Sequence, residues 1–177
     1  MKKQITGLSI ALLLLFGGCG VTPGLGESDQ VIPLSQVDQT LKKRLPVMRK
    51  ASFGSVRVLS VALQPGSDKK SVEAVAKFIL TSYEIPEGIE GLITYQAHLK
   101  YSPENRTLTL SQLKPLSLTF GNPSLEEYVS AAARQGVSSV VASILQGLPL
   151  QVMPENFRAR KVKKFSIQKE NLLIDFN

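Results

Sequence analysis

From Leu92 to Tyr101 the alternation is clean, with Ile93, Tyr95, Ala97, Leu99 and Tyr101 on one side and Thr94, Gln96, His98 and Lys100 on the other. Side chains along a strand repeat every two residues, so this pattern describes a strand with one face buried and one face wet, as in an antiparallel sheet. Ser102-Pro103-Glu104-Asn105 turns the chain, and Thr107 to Phe120 returns as a long strand with Leu108, Leu110, Leu116, Leu118 and Phe120 in phase. Gln112 and Lys114 interrupt that phase and Pro115 lacks an N–H, which predicts a bulge or a bend at a sheet edge. Ser55 to Gln64 is short, β-branched and bounded by Pro65-Gly66, and it reads as a further strand. Arg160 to Ile167 and Leu172 to Phe176 read as a closing hairpin with a turn near Glu170-Asn171. Ser71 to Ile85 is ambiguous. Val72, Val75, Ala76, Ile79, Leu80 and Tyr83 follow helical spacing, yet Val72, Ala74, Ala76, Phe78 and Leu80 also alternate, and periodicity slightly favours helix.

Two helices are expected beside these strands. Ser35 is a plausible N-cap for a stripe of Leu34, Val37, Leu41, Leu45 and Met48, which Pro46 should end or kink. The second helix runs from a Ser124-Leu125-Glu126-Glu127 capping box to the stop signals Gly147 and Pro149. Its apolar stripe includes Tyr128, Val129, Ala132, Ala133, Gly136, Val137, Val140, Val141, Ile144 and Leu145. Strands together with these helices make an α+β chain, and residues 31–177 suffice for one domain with a real core.

The amino-terminal segment carries a different message. Lys2 and Lys3 precede an apolar run from Ile5 to Phe16 that is shorter than the ~20 residues a membrane-spanning helix needs, which is the layout of a secretory signal. Phe16-Gly17-Gly18-Cys19 resembles a lipobox, although Phe16 stands where Leu is usual. The resemblance implies a signal peptide over residues 1–18 and an acylated Cys19 as the first mature residue. Gly20 after it, in place of Asp, implies the inner leaflet of the outer membrane, facing the periplasm. Cys19 is the only cysteine, so no intramolecular disulfide can form. Residues 19–30 are rich in Gly, Ser, Thr, Pro and acids and read as a flexible tether with a reach of roughly 20 Å.

Removal of Lys2 and Lys3 with the signal lowers the formal charge from +7 to +5, and the domain stays basic. Its bases cluster at Lys42, Lys43 and Arg44, and again at Arg158, Arg160, Lys161, Lys163 and Lys164. Lys42, Lys43, Arg44, Lys161, Lys163 and Lys164 are candidate contacts to an anionic membrane surface, at about 1 kcal/mol for each charge near it; an ordinary solvated face is the competing reading. No recognition motif accompanies the charge, so nucleic acid is not an expected partner. Catalytic equipment is scarce. His98 is the sole histidine and falls on the polar face of its strand, Cys19 is consumed by acylation, and Glu126 and Glu127 are explained by the helix start. A non-enzymatic protein without metal or cofactor is expected.

The order of parts resembles the YceB-like envelope lipoproteins over most of the mature chain. That order comprises the tether, a helix ending in Leu45-Pro46, strands around Gly91 and Tyr101-Ser102-Pro103, a long helix, Leu148-Pro149-Leu150 and a terminal hairpin. The resemblance implies strand for residues 71–85. Through that family the chain is similar to the tubular lipid-binding (TULIP) superfamily, which implies a curved antiparallel sheet wrapped around a long amphipathic helix, with a shorter amino-terminal helix. It also implies an apolar channel between sheet and helix, lined here by Tyr95, Leu118, Phe120, Val129, Ala133, Val137, Val140 and Ile144. The expected function is binding of a lipid or other long apolar ligand. The small residues Ala132, Ala133 and Gly136 fit either an open channel or close packing. The rival reading is an assembly module with a filled core and a basic surface for a protein partner.

Overall fold

A computed structural model describes residues 30–68, 71–158 and 160–176. The signal segment, Cys19 and the tether through Asp29 lie outside the described residues. In chain order the elements are β1 (Gln30–Pro33), α1 (Leu34–Lys42), β2 (Val47–Ala51), β3 (Gly54–Pro65), β4 (Ser71–Thr81), β5 (Ile89–Ser102) and β6 (Thr107–Phe120). They continue with α2 (Pro123–Glu126), α3 (Ala131–Gly147), β7 (Gln151–Val152), a 3-10 turn (Glu155–Phe157), β8 (Val162–Gln168) and β9 (Asn171–Phe176). Consecutive antiparallel strands form a six-stranded sheet, β2-β3-β4-β5-β6-β7, and a three-stranded sheet is ordered β1-β9-β8. β1 pairs with β9, Gln30 opposite Ile174, so both ends of the described chain share the small sheet.

The expected architecture of a curved sheet wrapped around a long amphipathic helix is not what the chain builds. Strands predominate, they form two sheets, and the helices are short. The apolar stripe from Ser124 onward is split: α2 stops at Glu126, Val129 is buried in the break, and α3 starts after Ser130, whose hydroxyl accepts the Ala133 N–H at 3.1 Å. Arg134 stabilises the break. Its guanidinium donates to the carbonyls of Glu126 and Val129, both at 3.2 Å, and to the Glu126 carboxylate at 2.8 Å. Carbonyls that a continuous helix would pair internally thus keep a partner, and periodicity carries no trace of this. The buried face of α3 is also narrower than expected, comprising Val137, Val141, Ile144 and Leu145 while Ala131 and Ala132 stay exposed.

α1 departs from expectation in a smaller way. Pro33, without a side-chain hydrogen bond, takes the N-cap position in place of Ser35, and the helix ends at Lys42 with Leu34, Val37 and Leu41 buried. Met48 belongs to β2 and is half exposed.

The family resemblance implied strand for residues 71–85, and the chain is strand over 71–81, with 82–85 holding a bend after it. Val72, Ala74, Ala76, Phe78 and Leu80 are buried, and β4 is paired with β3 over Val72–Thr81 and with β5 over Ser71–Leu80. Ladders on both sides outweigh the helical spacing, because they engage the backbone groups of nearly the whole segment. The bulges expected in β6 are present, with register shifts where Tyr95 faces Pro115 and between Gln96 and His98. The first leaves Leu116 as the extra residue, which puts it half exposed on the surface and out of phase with Leu118 and Phe120. Gly91 is required where it stands, since a Cβ there would collide with the Phe78 ring, which packs edge-on against Phe120 at 5.8 Å.

Candidate functional site

The eight side chains expected to line a channel all belong to the one hydrophobic core. Tyr95, Val137 and Ile144 are fully buried, Phe120 and Val129 nearly so, and Leu118, Ala133 and Val140 pack partly buried against the same continuous core. Phe53, from the β2–β3 turn, occupies the space that the missing side chain of Gly136 leaves, so the small residue on α3 serves close packing. The Tyr95 hydroxyl donates to the Ser138 carbonyl at 2.6 Å. Burial pushes its phenol up to about 12, against smaller opposing contributions from the Ser138 side chain and the Ala142 backbone. A small hollow of about 160 Å³ touches Val129 and Ala133 at the start of α3.

A more spacious hollow lies elsewhere and shares none of the eight. It is a groove of about 930 Å³ lined by His98, Leu99, Lys100, Tyr101 and Pro103 on one side and by Arg160 to Phe165 on the other. Among the described residues the pairing of β4 with β5 reaches Ser71 opposite His98, whereas β5 and β6 run on together to Ser102 and Thr107, so the tip of their hairpin extends past it. β8 faces this tip. A register shift between Val162 and Lys164 in β8 places a bulge at Lys163. Odd spacing would put Val162 and Phe165 on opposite faces of a regular strand; the bulge lets both pack on the core and leaves Lys163 and Lys164 exposed.

Among the described residues five cationic side chains line the groove, Lys100, Arg160, Lys161, Lys163 and Lys164, and no carboxylate does. Lys163 has a long ion pair with Asp175 at 4.0 Å, and Arg160 stacks over the Phe157 ring at 5.2 Å. Among the described residues, Lys100, Lys161 and Lys164 have no ion-pair partner. Arg106 and Arg158 are both held by Glu155. The apolar floor is rigid at Tyr101, whose hydroxyl donates to the Phe157 carbonyl at 2.9 Å and whose ring meets Phe176 edge-on at 5.6 Å. Burial raises its phenol, with Arg106 opposing. Uncompensated positive charge over an apolar floor attracts a ligand that is anionic in one part and apolar in another.

Of the six expected membrane-facing bases, Lys161, Lys163 and Lys164 line the groove, while Lys42, Lys43 and Arg44 are exposed at the end of α1 and do not. His98, read from the sequence as a surface histidine, lines it too. Leu99, Lys100, Tyr101, Pro103, Arg160, Val162 and Phe165 were not singled out as site residues. The one available signal was the run of bases from Arg158 to Lys164 set directly before a strand. Among the described residues no three His, Cys, Asp or Glu side chains come together as a metal site requires, and no helix is long and apolar enough to cross a membrane.

No protein-family model and no curated protein matches the chain, so the likeness to YceB-like lipoproteins has no family model behind it. Among solved structures the chain is similar to a crystal structure of lipopolysaccharide binding protein. The identity is 15%, the match covers 84% of this chain and 40% of that one, and the TM-score is 0.34. The chain thus spans well under half the length of the structure it matches, an overlap too slight to assign a fold or a ligand.

Proposed function

We propose that this chain is a non-enzymatic envelope lipoprotein, anchored through acylated Cys19 to the inner leaflet of the outer membrane, that binds an anionic lipid in the groove between β5 and β8. The observation that carries the reading is the groove itself. Its five cations stand over Leu99, Tyr101, Val162 and Phe165, a surface suited to a charged headgroup with the start of an acyl chain. The position of the tether agrees with it. Gln30 is opposite Ile174 on β9, which is opposite Phe165 on β8, so the chain enters the domain two strands from the groove. A short acylated tether would therefore hold the groove near lipid headgroups. One acyl chain anchors only marginally and several anchor stably, as in a mature lipoprotein.

Two experiments test this. Vesicles containing phosphatidylglycerol should sediment the chain lacking residues 1–19, and neutral phosphatidylcholine vesicles should not; equal behaviour with both would remove the lipid reading. Cys19→Ser should also leave the precursor unprocessed in cells, and a mature membrane-bound form of that variant would refute the anchor.

A further inference from the structure

The turn between β4 and β5 presents on the outside of the molecule the chemistry that the groove attracts. Residues 82–88 read Ser-Tyr-Glu-Ile-Pro-Glu-Gly, with two acids and no base. Ile85 is buried and fixes the turn from within. Its N–H donates to the Ser82 hydroxyl at 3.2 Å, and its carbonyl accepts from the N–H groups of Ser82 at 3.2 Å and Gly88 at 3.1 Å. From this braced turn Tyr83 projects with 97% of its surface exposed. Glu84 and Glu87 are exposed beside it, and among the described residues neither has an ion-pair partner. A tyrosine held out rigidly, with no contact in its own molecule, is the kind of side chain on which interfaces concentrate their binding energy.

The turn cannot serve the groove of its own molecule. It joins β5 at Ile89, whereas the groove is lined from His98 onward. The strand between those two residues is about 30 Å long at the usual rise per residue. Each copy therefore offers a turn at one end of β5 and a groove at the other.

We infer that the groove receives this turn from a second copy of the chain, with Tyr83 on the apolar floor and Glu84 and Glu87 against the lysines of β8. Charge complementarity specifies the occupant. Lys100, Lys161 and Lys164 have no ion-pair partner among the described residues, and the turn brings two carboxylates that are equally unpaired, with an aromatic ring between cations and floor. The contact joins two different surfaces, so copies associate head to tail. One turn in one groove is a small interface, which makes the association weak and sensitive to salt. The inference goes beyond the lipid reading but uses the same groove, so anionic lipid and a second copy exclude each other.

The test uses the full chain, one copy per phosphatidylcholine nanodisc, with a donor or an acceptor fluorophore on a flexible extension of the carboxyl terminus. Energy transfer between discs should rise with concentration up to about 100 µM and fall as salt is added. The turn variant Tyr83→Ala, Glu84→Lys, Glu87→Lys should associate at least about tenfold more weakly, and so should the groove variant Lys161→Glu, Lys164→Glu. All five side chains are exposed, so the fold is retained. Mixed together, the two variants should recover the parental affinity, because the intact turn of one meets the intact groove of the other. No transfer between parent chains, while anionic vesicles still sediment the protein, would mean that the groove serves lipid alone and would overturn the inference. Undiminished transfer in either variant overturns it as well, as does a mixture that stays apart. The turn variant keeps its groove and should sediment with phosphatidylglycerol vesicles as the parent does. The lipid function is thus read separately, and either proposal can fail while the other stands.

Discussion

Strand β5 takes part in two regions of opposite character. At Ile93 and Tyr95 it forms the floor beneath α3, where every inward side chain is fully buried and Phe53 fills the place left by Gly136. A few residues on, at Leu99 to Tyr101, the same alternating pattern borders an open groove of about 930 Å³. The difference lies in the neighbours. Beside Tyr95 the strand has β4 on one side and β6 on the other, with α3 above; beyond His98, among the described residues, it pairs with β6 alone. Strands paired on both sides beneath a helix leave no space for a ligand, whereas a hairpin tip beside a strand of a second sheet leaves a groove. In a chain with little catalytic equipment, the place where pairing runs out is therefore the place to seek function.

Substitutions should separate the two regions. The largest effect is expected for Phe78→Ala, which empties the space beneath Gly91 and Phe120 and should lower stability by about 3–5 kcal/mol in chemical denaturation while groove binding in the folded fraction is retained. Gly136→Val should cost about 1–3 kcal/mol through collision with Phe53; a neutral result would show that the region above α3 is looser than described. The double charge reversal Lys161→Glu with Lys164→Glu inverts the pattern. Stability should stay within about 0.5 kcal/mol, since both side chains are exposed, and sedimentation with anionic vesicles should fall roughly tenfold or more.

The smallest effect concerns Tyr95. Tyr95→Phe loses the hydrogen bond to Ser138 and should cost about 1 kcal/mol near neutral pH. The native phenol is pushed up from 10.0 to about 12, so the unfolded chain releases this proton first. Stability from this group is complete below the unfolded value and falls as pH rises through that window, by at most about 1.4 kcal/mol per pH unit. Denaturation midpoints measured on either side of the unfolded value should drop less on alkalinisation in Tyr95→Phe than in the parent. An identical drop would mean that Tyr95 is not sealed from water.

Much of the sheet was legible in the residues. β3, β5, β6, β8 and β9 lie where alternation and turn residues put them, and Pro115 marks the bulged part of β6. β4 was not decidable from spacing, because eleven residues of alternating apolar side chains also satisfy a helical stripe. The three shortest strands, β1, β2 and β7, carry too few residues for a period to register. The break between α2 and α3 was invisible for another reason: Arg134 restores the lost hydrogen bonds from outside the break, and a stripe of apolar residues does not record who satisfies a carbonyl. Of the groove, the sequence disclosed Lys161, Lys163 and Lys164 as a basic run. It did not disclose His98, Lys100 or Tyr101, which lie some sixty residues earlier in the chain.

By itself the sequence determined the alternation that makes most of this chain β-structure, the basic run before β8, and the single cysteine in a lipobox-like setting. These are local properties, fixed by side-chain period, charge and spacing. Only the tertiary structure decided that Phe53 packs into the space left by Gly136 and that β8 brings its lysines to the hairpin tip of β5 and β6. Those outcomes depend on where ladders end and which side chain fills a gap, and both are set between segments distant in sequence, where no periodicity reaches.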